Sequence, residues 1–380
     1  MAPDPAVARL TPTRFAALGG WDADDHAAAF AAFRLSAARI LEHPPSTKGF
    51  GIDGAALLAP ARAALALPAD PGPAAARRFF EDRFTPQRVR PATGSGFVTG
   101  YFEPEVGGSR TRSDRFPVPL YRRPDDLVAL GDDPGAARAA GLPDGLSWAR
   151  RRPDGRLEEH PDRGAIQQGA LEGRGLELVF VKSLVEAFFI HVQGSARIRL
   201  AEGGSMRVGF AAKTGHAYTA IGRVLVERGL FEAKDLTADV LRAWLEANPA
   251  EVPALLARNR SFIFFAEAAA TDPALGPVAA AGVPLTPGRS LAVDRALVTF
   301  HLPVWLSLDV GLDGVAADGG RRVRRLMVAQ DTGSAIVGPA RGDIFFGSGE
   351  AAWRQAAPVR HPARFTLLVP RRRGPARRGD

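Results

Sequence analysis

The hydrophobic period of this chain changes near Gly96, from the three-to-four spacing of helices to the alternation of strands. Before that point Asp22 reads as an N-cap, and Ala27, Phe30, Phe33, Ala37, Ile40 and Leu41 recur at helical spacing. An alanine-rich run from Gly54 to Leu67 and a third run from Pro73 to Phe84, with Phe79, Phe80 and Phe84, read as further helices whose aromatics belong to a core. After it, Phe97, Thr99 and Tyr101, then Phe116, Val118 and Leu120, alternate as strands do.

The segment from Pro124 to Pro161 has no sustained apolar period and reads as a long surface excursion with a short hairpin at Pro153-Asp154-Gly155. Strands are expected at Leu176 to Val181 and Ala196 to Leu200, with a helix capped by Ser183 between them. Helices are expected from Tyr218 to Arg228, from a Thr237 cap onward, and from Pro253 to Arg258. The last third is dense in strands: Ser261 to Phe265, Ser290 to Val293, Val304 to Leu308, Arg324 to Ala329, Ile344 to Phe346 and Phe365 to Val369. Six short strands broken by turns argue for a small closed barrel. A length of 380 residues suggests two domains, and 41 glycines and 31 prolines suit many tight turns.

Composition removes several chemistries. With no cysteine there is no disulfide, thiolate metal site, cysteine nucleophile or cysteine-linked lipid. The seven histidines show no metal-ligand spacing, so no metal is expected; nucleotide-binding glycine loops and the serine-hydrolase elbow are also absent, so no cofactor is expected. The net charge is +8, and the last ten residues hold five arginines against one aspartate, which reads as a solvated tail rather than a nucleic-acid surface. The first residues lack the charged and apolar regions of a signal peptide, and no run of about 18 apolar residues is present, so no transmembrane span is expected. The chain as written is then either cytoplasmic or a mature form without its export signal.

Carboxylate chemistry remains. Asp331 and Asp343 lie twelve residues apart, each at the end of an apolar strand and beside turn glycines. An aspartate next to Ile344, Phe345 and Phe346 can be partly desolvated, which raises its pKa and suits it to hand a proton to a glycosidic oxygen. By residue pattern alone, aspartates in Asp-Thr-Gly and Gly-Asp contexts also simply make turns.

Several phrases occur together and in order: Thr99-Gly-Tyr101-Phe-Glu-Pro104, Pro119-Leu-Tyr-Arg122, Gln193-Gly194-Ser195, Gly215-His216-Ala-Tyr218, the run from Val283 to Asp294, and Gln330-Asp-Thr-Gly followed by Arg341-Gly-Asp343. Together they resemble the membrane-bound lytic murein transglycosylase A family with its C-terminal three-aspartate domain. The resemblance implies a mainly β fold with N-terminal helices. A double-psi β-barrel domain would take residues 1–102 and 261–380, a smaller inserted β-domain 103–260, with a groove between them for a glycan strand. It also implies cleavage of the β-1,4 bond between N-acetylmuramic acid and N-acetylglucosamine, leaving a 1,6-anhydro end.

In that family Asp343 matches the catalytic acid, which protonates the leaving oxygen and then accepts the proton of the sugar's own C6 hydroxyl. Asp331 matches a second aspartate that orders Asp343, stabilises the transient cation or serves as a structural hydrogen-bonding group, and Asp294 a third, with a structural role. Thr99, Tyr101, Gln193, Ser195, Lys213 and Gly215 match substrate-groove positions, and the glycine of Gln-Gly-Ser would let backbone approach a ligand. The chain departs from the family at Ala196, at Val181-Lys-Ser-Leu, at Lys213-Thr214 and in lacking a lipid-attachment cysteine. The implied partner is peptidoglycan, not nucleic acid, the implied compartment the periplasm, and the expected state a monomer. Two other readings stay open at this level: a polysaccharide-binding protein without catalysis, and a hydrolytic glycosidase on the same barrel.

Overall fold

The computed structural model describes residues 8–131, 135–268, 272–308 and 323–371, so the expectation for the arginine-rich end lies almost wholly outside the described residues. The chain folds as two compact units, one of Glu103–Ala270 with Ser348–Glu350, the other of Ala2–Phe102, Thr271–Gly347 and Ala351–Asp380.

The second of these units opens with strand β1 (Ala8–Pro12) and helices α1 (His26–Glu42), α2 (Leu58–Ala66) and α3 (Pro73–Arg83), then β2 (Phe84–Pro91) and β3 (Gly96–Glu103). Asp25, not Asp22, caps α1, its side chain accepting from the Ala28 amide at 3.0 Å. Asp22 instead sits in a short 3-10 turn whose Trp21 is buried and donates through Nε1 to Glu81 at 2.8 Å. The phenylalanines form one cluster: Phe33 lies 5.6, 6.2 and 5.7 Å from Phe79, Phe80 and Phe84. Each such ring contributes roughly 2–3 kcal/mol by burial, which is why α1 and α3 stay on the barrel despite weak helix formers among them. Phe84 does not end the third helix but opens β2, a strand concealed in the sequence by Pro86 and Pro91.

The other unit contains β4 (Glu105–Ser109), β5 (Val118–Tyr121), β6 (Leu127–Ala129), α4 (Ala136–Ala139), β7 (Trp148–Arg151), β8 (Leu157–Glu158), α5 (Arg163–Gln167), β9 (Glu177–Val181), α6 (Leu184–Gln193), β10 (Ser195–Leu200), β11 (Ser205–Lys213), α7 (Ile221–Glu227), α8 (Ala238–Ala247), α9 (Val252–Ala257) and β12 (Ile263–Ala268). Six strands pair in the order β12-β11-β10-β4-β9-β5 over a core that includes Leu120, Val179, Ile198, Val208 and Phe265. The expected surface excursion is in fact organised: β6, β7 and β8 form a small antiparallel sheet, with the hairpin at Asp154-Gly155 joining β7 to β8. Its strands are two to four residues long, too short for a period to show. Ser183 and Thr237 cap α6 and α8 as expected, accepting from the amides of Glu186 and Val240.

Two further expectations are corrected. The helix expected from Tyr218 begins at Ile221, because Ala220 is extended and the Thr219 amide is held by the Asn259 side chain at 3.1 Å. The strand around Ser261 to Phe265 does not join the barrel. It pairs antiparallel with β11 from Lys213↔Ile263 to Arg207↔Ala268 and buries Phe264 and Phe265 in its own unit.

The barrel is completed by β13 (Ser290–Val293), β14 (Pro303–Leu308), β15 (Val323–Asp331), β16 (Arg341–Ser348), α10 (Gly349–Ala356) and β17 (Arg360–Pro370). The order β17-β14-β15-β13-β16-β3 closes on itself, because β17 also pairs with β3 through Arg360↔Thr99 to Ala363↔Gly96. The other half of the eleven-residue β17 pairs with β2, which carries β1 outside the ring. Closure removes exposed strand edges, and the parallel β13–β15 pair requires the long crossover between them. Among the described residues, no helix is long and apolar enough to cross a membrane.

Candidate active site

Strand β13 places the two aspartates. Ala292 of β13 lies opposite Asp331 in β15 on one side and opposite Asp343 in β16 on the other. Two inter-strand spacings, about 10 Å, therefore separate their backbones, although twelve residues separate them in sequence. The β13–β15 register skips Gln330, a β-bulge that moves Asp331 into line with Ala292. Gln330 is fully buried; it accepts from Ser290 Oγ at 2.5 Å and donates to Ala32 O and Ser36 Oγ of α1, both at 2.9 Å. These bonds satisfy a buried amide and hold the bulge. Sequence pattern did not single out Gln330, Ser290 or Ser36, since their importance depends on pairing with residues up to 298 positions away.

Strand β3 faces the pair with its hydroxyls. Thr99 Oγ1 donates to Asp343 Oδ1 at 2.7 Å and accepts from Arg341 Nη2 at 2.7 Å. Tyr101 Oη donates to Asp331 Oδ2 at 2.7 Å, and its ring lies 5.3 Å from that of Phe345. The alternation of β3 puts Thr99 and Tyr101 on one face, two residues apart. Gly100 between them admits no side chain: a Cβ there would come within 2.7 Å of Ala356 O and of Phe346 Cε2.

The carboxyls differ in their hydrogen bonding. Asp331 accepts from Tyr101 and from the amides of Thr332 at 2.8 Å and Ala280 at 3.3 Å. Among the described residues, Asp343 takes one hydrogen bond, from Thr99. Asp343 keeps part of its surface open to solvent while protein crowds its carboxyl. That desolvation pushes its pKa from 3.8 up to about 6, against the Thr99 bond and the Arg341 charge, with the Asp331 charge adding to the rise. Burial also raises Asp331, opposed by its three donors, and raises Tyr101 well above its usual 10, with Asp331 adding to that rise. Arg341, whose guanidinium lies 5.6 Å from the Phe97 ring centroid, also donates to Gly342 O, and burial lowers its pKa. Its place beside Thr99 was missed in sequence because Arg341 and Thr99 meet only across the β16–β3 pair.

Asp294 is buried and ties the loop after Asp331: Oδ1 accepts from the Ala296 amide at 2.9 Å and Oδ2 from Gly338 at 2.7 Å. Thr332 Oγ1 anchors the same loop on Val293 O at 2.8 Å. The other sequence-derived positions fall in the Glu103–Ala270 unit. Gln193 ends α6, half-buried, and Ser195 opens β10, buried. Gly194 between them is the left-handed C-cap of α6, φ 78°, its amide donating to Ile190 O, and the cap by itself favours a glycine. Lys213 ends β11, half-buried. Gly215 is buried at φ 90° with the Trp148 backbone against it, a Cβ there meeting Trp148 O at 2.5 Å. Thr99 and Tyr101 thus have their hydroxyls committed to the aspartates. Among the described residues, no group of three or more His, Asp or Glu side chains is placed to hold a metal ion.

A closed barrel with two aspartates flanking one strand, ordered by a threonine and a tyrosine, defines a class. The model of the 3D domain matches residues 289–369, and that of the MltA specific insert domain matches residues 97–266. A crystal structure of a membrane-bound lytic murein transglycosylase from Agrobacterium tumefaciens is 40% identical, with a TM-score of 0.85 over 95% of this chain and 97% of that one. Escherichia coli MltA with bound chitohexaose is 25% identical, with a TM-score of 0.64 over 97% and 93%. The membrane-bound lytic murein transglycosylase A of Vibrio cholerae is 36% identical over 55% of this chain, a match that spans 55% of the length of that relative. The chain belongs to the membrane-bound lytic murein transglycosylase A family, and its fold is the expected one, mainly β with N-terminal helices.

Proposed function

We propose that this protein is a lytic transglycosylase that cleaves the β-1,4 bond between N-acetylmuramic acid and N-acetylglucosamine in peptidoglycan. One observation carries the reading: Asp343 has its pKa raised to about 6 and, among the described residues, carries a single hydrogen bond, beside a second carboxylate engaged by three donors. A neutral carboxyl at Asp343 donates its proton to the glycosidic oxygen as positive charge grows at the anomeric carbon. The resulting carboxylate then takes the proton of the muramoyl C6 hydroxyl as that oxygen closes on the anomeric carbon. The products are a 1,6-anhydro end and a free 4-hydroxyl, with no water added.

Asp331 supports the step electrostatically. Its negative charge favours the neutral form of Asp343 before proton transfer and the cation during it. With Tyr101, Thr332 and Ala280 occupying its oxygens, Asp331 is poorly placed to activate water, which supports the lytic outcome over hydrolysis. Asp294 acts on the site by holding the loop at Gly338. Gln193, Ser195, Lys213 and Gly215 are assigned to substrate binding by their match to the family motifs, with Gly215 acting through backbone geometry. The division into a barrel domain and an inserted domain belongs to the same reading, with its second boundary after β12 rather than at residue 261; a monomeric state belongs to it too, and action in the periplasm is supported by relatives named as membrane-bound murein enzymes.

The test is mass spectrometry of products from purified peptidoglycan. Anhydro-muropeptides are expected from the native chain and none from Asp343→Asn. Products one water heavier would establish hydrolysis, and wall binding without soluble product would establish a binding protein.

A further inference from the structure

A concave site lies on the barrel unit, away from the aspartates. Its cavity of about 170 Å³ is lined by Arg88, Arg324, Arg364, Ser307, Thr366 and Trp305, with Ala17, Leu18 and Gly19 at one wall. Strand register explains why these side chains converge. Ser307 of β14 lies opposite Arg324 of β15 and opposite Arg364 of β17. One row along, Thr366 of β17 lies opposite Trp305 of β14 and opposite Arg88 of β2. Directly opposed residues bring their Cβ atoms to about 5 Å, so four adjacent strands present three guanidinium groups and two hydroxyls on one face. None of the described lining residues is acidic.

Arg324 is held in place by its surroundings. Arg324 lies over the backbone of Gly19 and Gly20, where a Cβ would come within 2.8 Å of its Nη1 and Cδ, respectively. Among the described residues, its buried Nε has no hydrogen-bond partner. A buried N–H left unmet opposes folding, and an anion seated beside Arg324 relieves it. Arg324 precedes Asp331 by seven residues of β15, about 23 Å at strand rise, so this cluster is separate from the carboxylates.

We propose that this cavity is an oxyanion site that takes a phosphoryl group. The planar forks of arginine match phosphate oxygens in pairs, and three of them suit a group that can carry two negative charges better than a single carboxylate. The volume admits a phosphoryl group and not a folded length of glycan. Two sources share this chemistry: a soluble phosphate ester and the phosphodiester of a lipid headgroup.

Calorimetric titration of the full chain with inorganic phosphate, at ionic strength held constant with chloride, tests the site. Binding is expected, weakened at least tenfold by Arg88→Gln. Arg62→Gln, which removes the same charge from the exposed face of α2, is expected to change it less than twofold. Arg364→Gln, at an exposed position, serves as a second variant should Arg88→Gln fold poorly. Retention on phosphatidylglycerol vesicles but not phosphatidylcholine vesicles, lost in the cavity variants, would identify the lipid phosphodiester as the source; phosphate binding without vesicle retention would identify a soluble ester. Absence of both kinds of binding, or equal weakening by Arg62→Gln, overturns the proposal.

Discussion

Replacing Asp343 by asparagine removes one ionisable group while keeping nearly the same shape, and the amide oxygen still accepts from Thr99. In the folded protein the Asp343 carboxyl has a pKa of about 6, against 3.8 for the ordinary group, so it is about 3 kcal/mol harder to ionise after folding than before. The sign follows from proton binding. Between pH 3.8 and about 6 the folded state holds this proton more tightly than the unfolded chain, so the contribution of Asp343 to stability falls as pH rises through that window. The expected result is that Asp343→Asn gains about 2–3 kcal/mol over the native chain between about pH 4 and pH 8, whatever constant offset separates them. Asp331 is present in both proteins and largely cancels in the difference. Urea unfolding at a series of pH values reads this as a midpoint gap widening by on the order of 1 M toward about pH 8. Parallel midpoint curves across that range would refute the desolvated acid, and with it the physical basis for proton donation by Asp343.

The same pKa predicts that kcat/KM on soluble glycan falls as pH rises above about 6, as the neutral acid is depleted; a rate rising through about pH 7 would contradict it. Tyr101→Phe keeps the ring beside Phe345 but removes the donor to Asp331, and should lower turnover about tenfold with circular dichroism unchanged. Asp294→Ala leaves the Ala296 and Gly338 amides without their acceptor. It should cost about 1–2 kcal/mol of local stability, seen as faster hydrogen exchange at Gly338, and reduce activity without abolishing it. Gly215→Ala should destabilise its unit by about 2–4 kcal/mol, read as a lower melting temperature, because φ 90° and the Trp148 carbonyl leave no room for a Cβ.

Elements with a long period and a local cap were legible in the sequence. The apolar stripes of α1 and α3, the Ser183 and Thr237 caps, and the alternation of β3 all depend on residues within a few positions of one another. The motif order identified the family, and the apolar run after Asp343 correctly suggested a desolvated carboxyl. Asp343 could therefore be singled out as the candidate acid from local pattern and motif order together.

What tertiary structure alone decided was every relation between distant strands. Nothing local marks Ala292 as the midpoint between the two aspartates, or Thr99 and Tyr101 as their donors, 244 and 230 residues away. The assignment of Ile263–Ala268 to the β11 sheet, the bulge at Gln330 and the convergence of Arg88, Arg324 and Arg364 are of the same kind. Strand periodicity records which side chains share a face. It does not record which strand lies alongside, because pairing register is set by the packing of whole faces and by closure of the barrel.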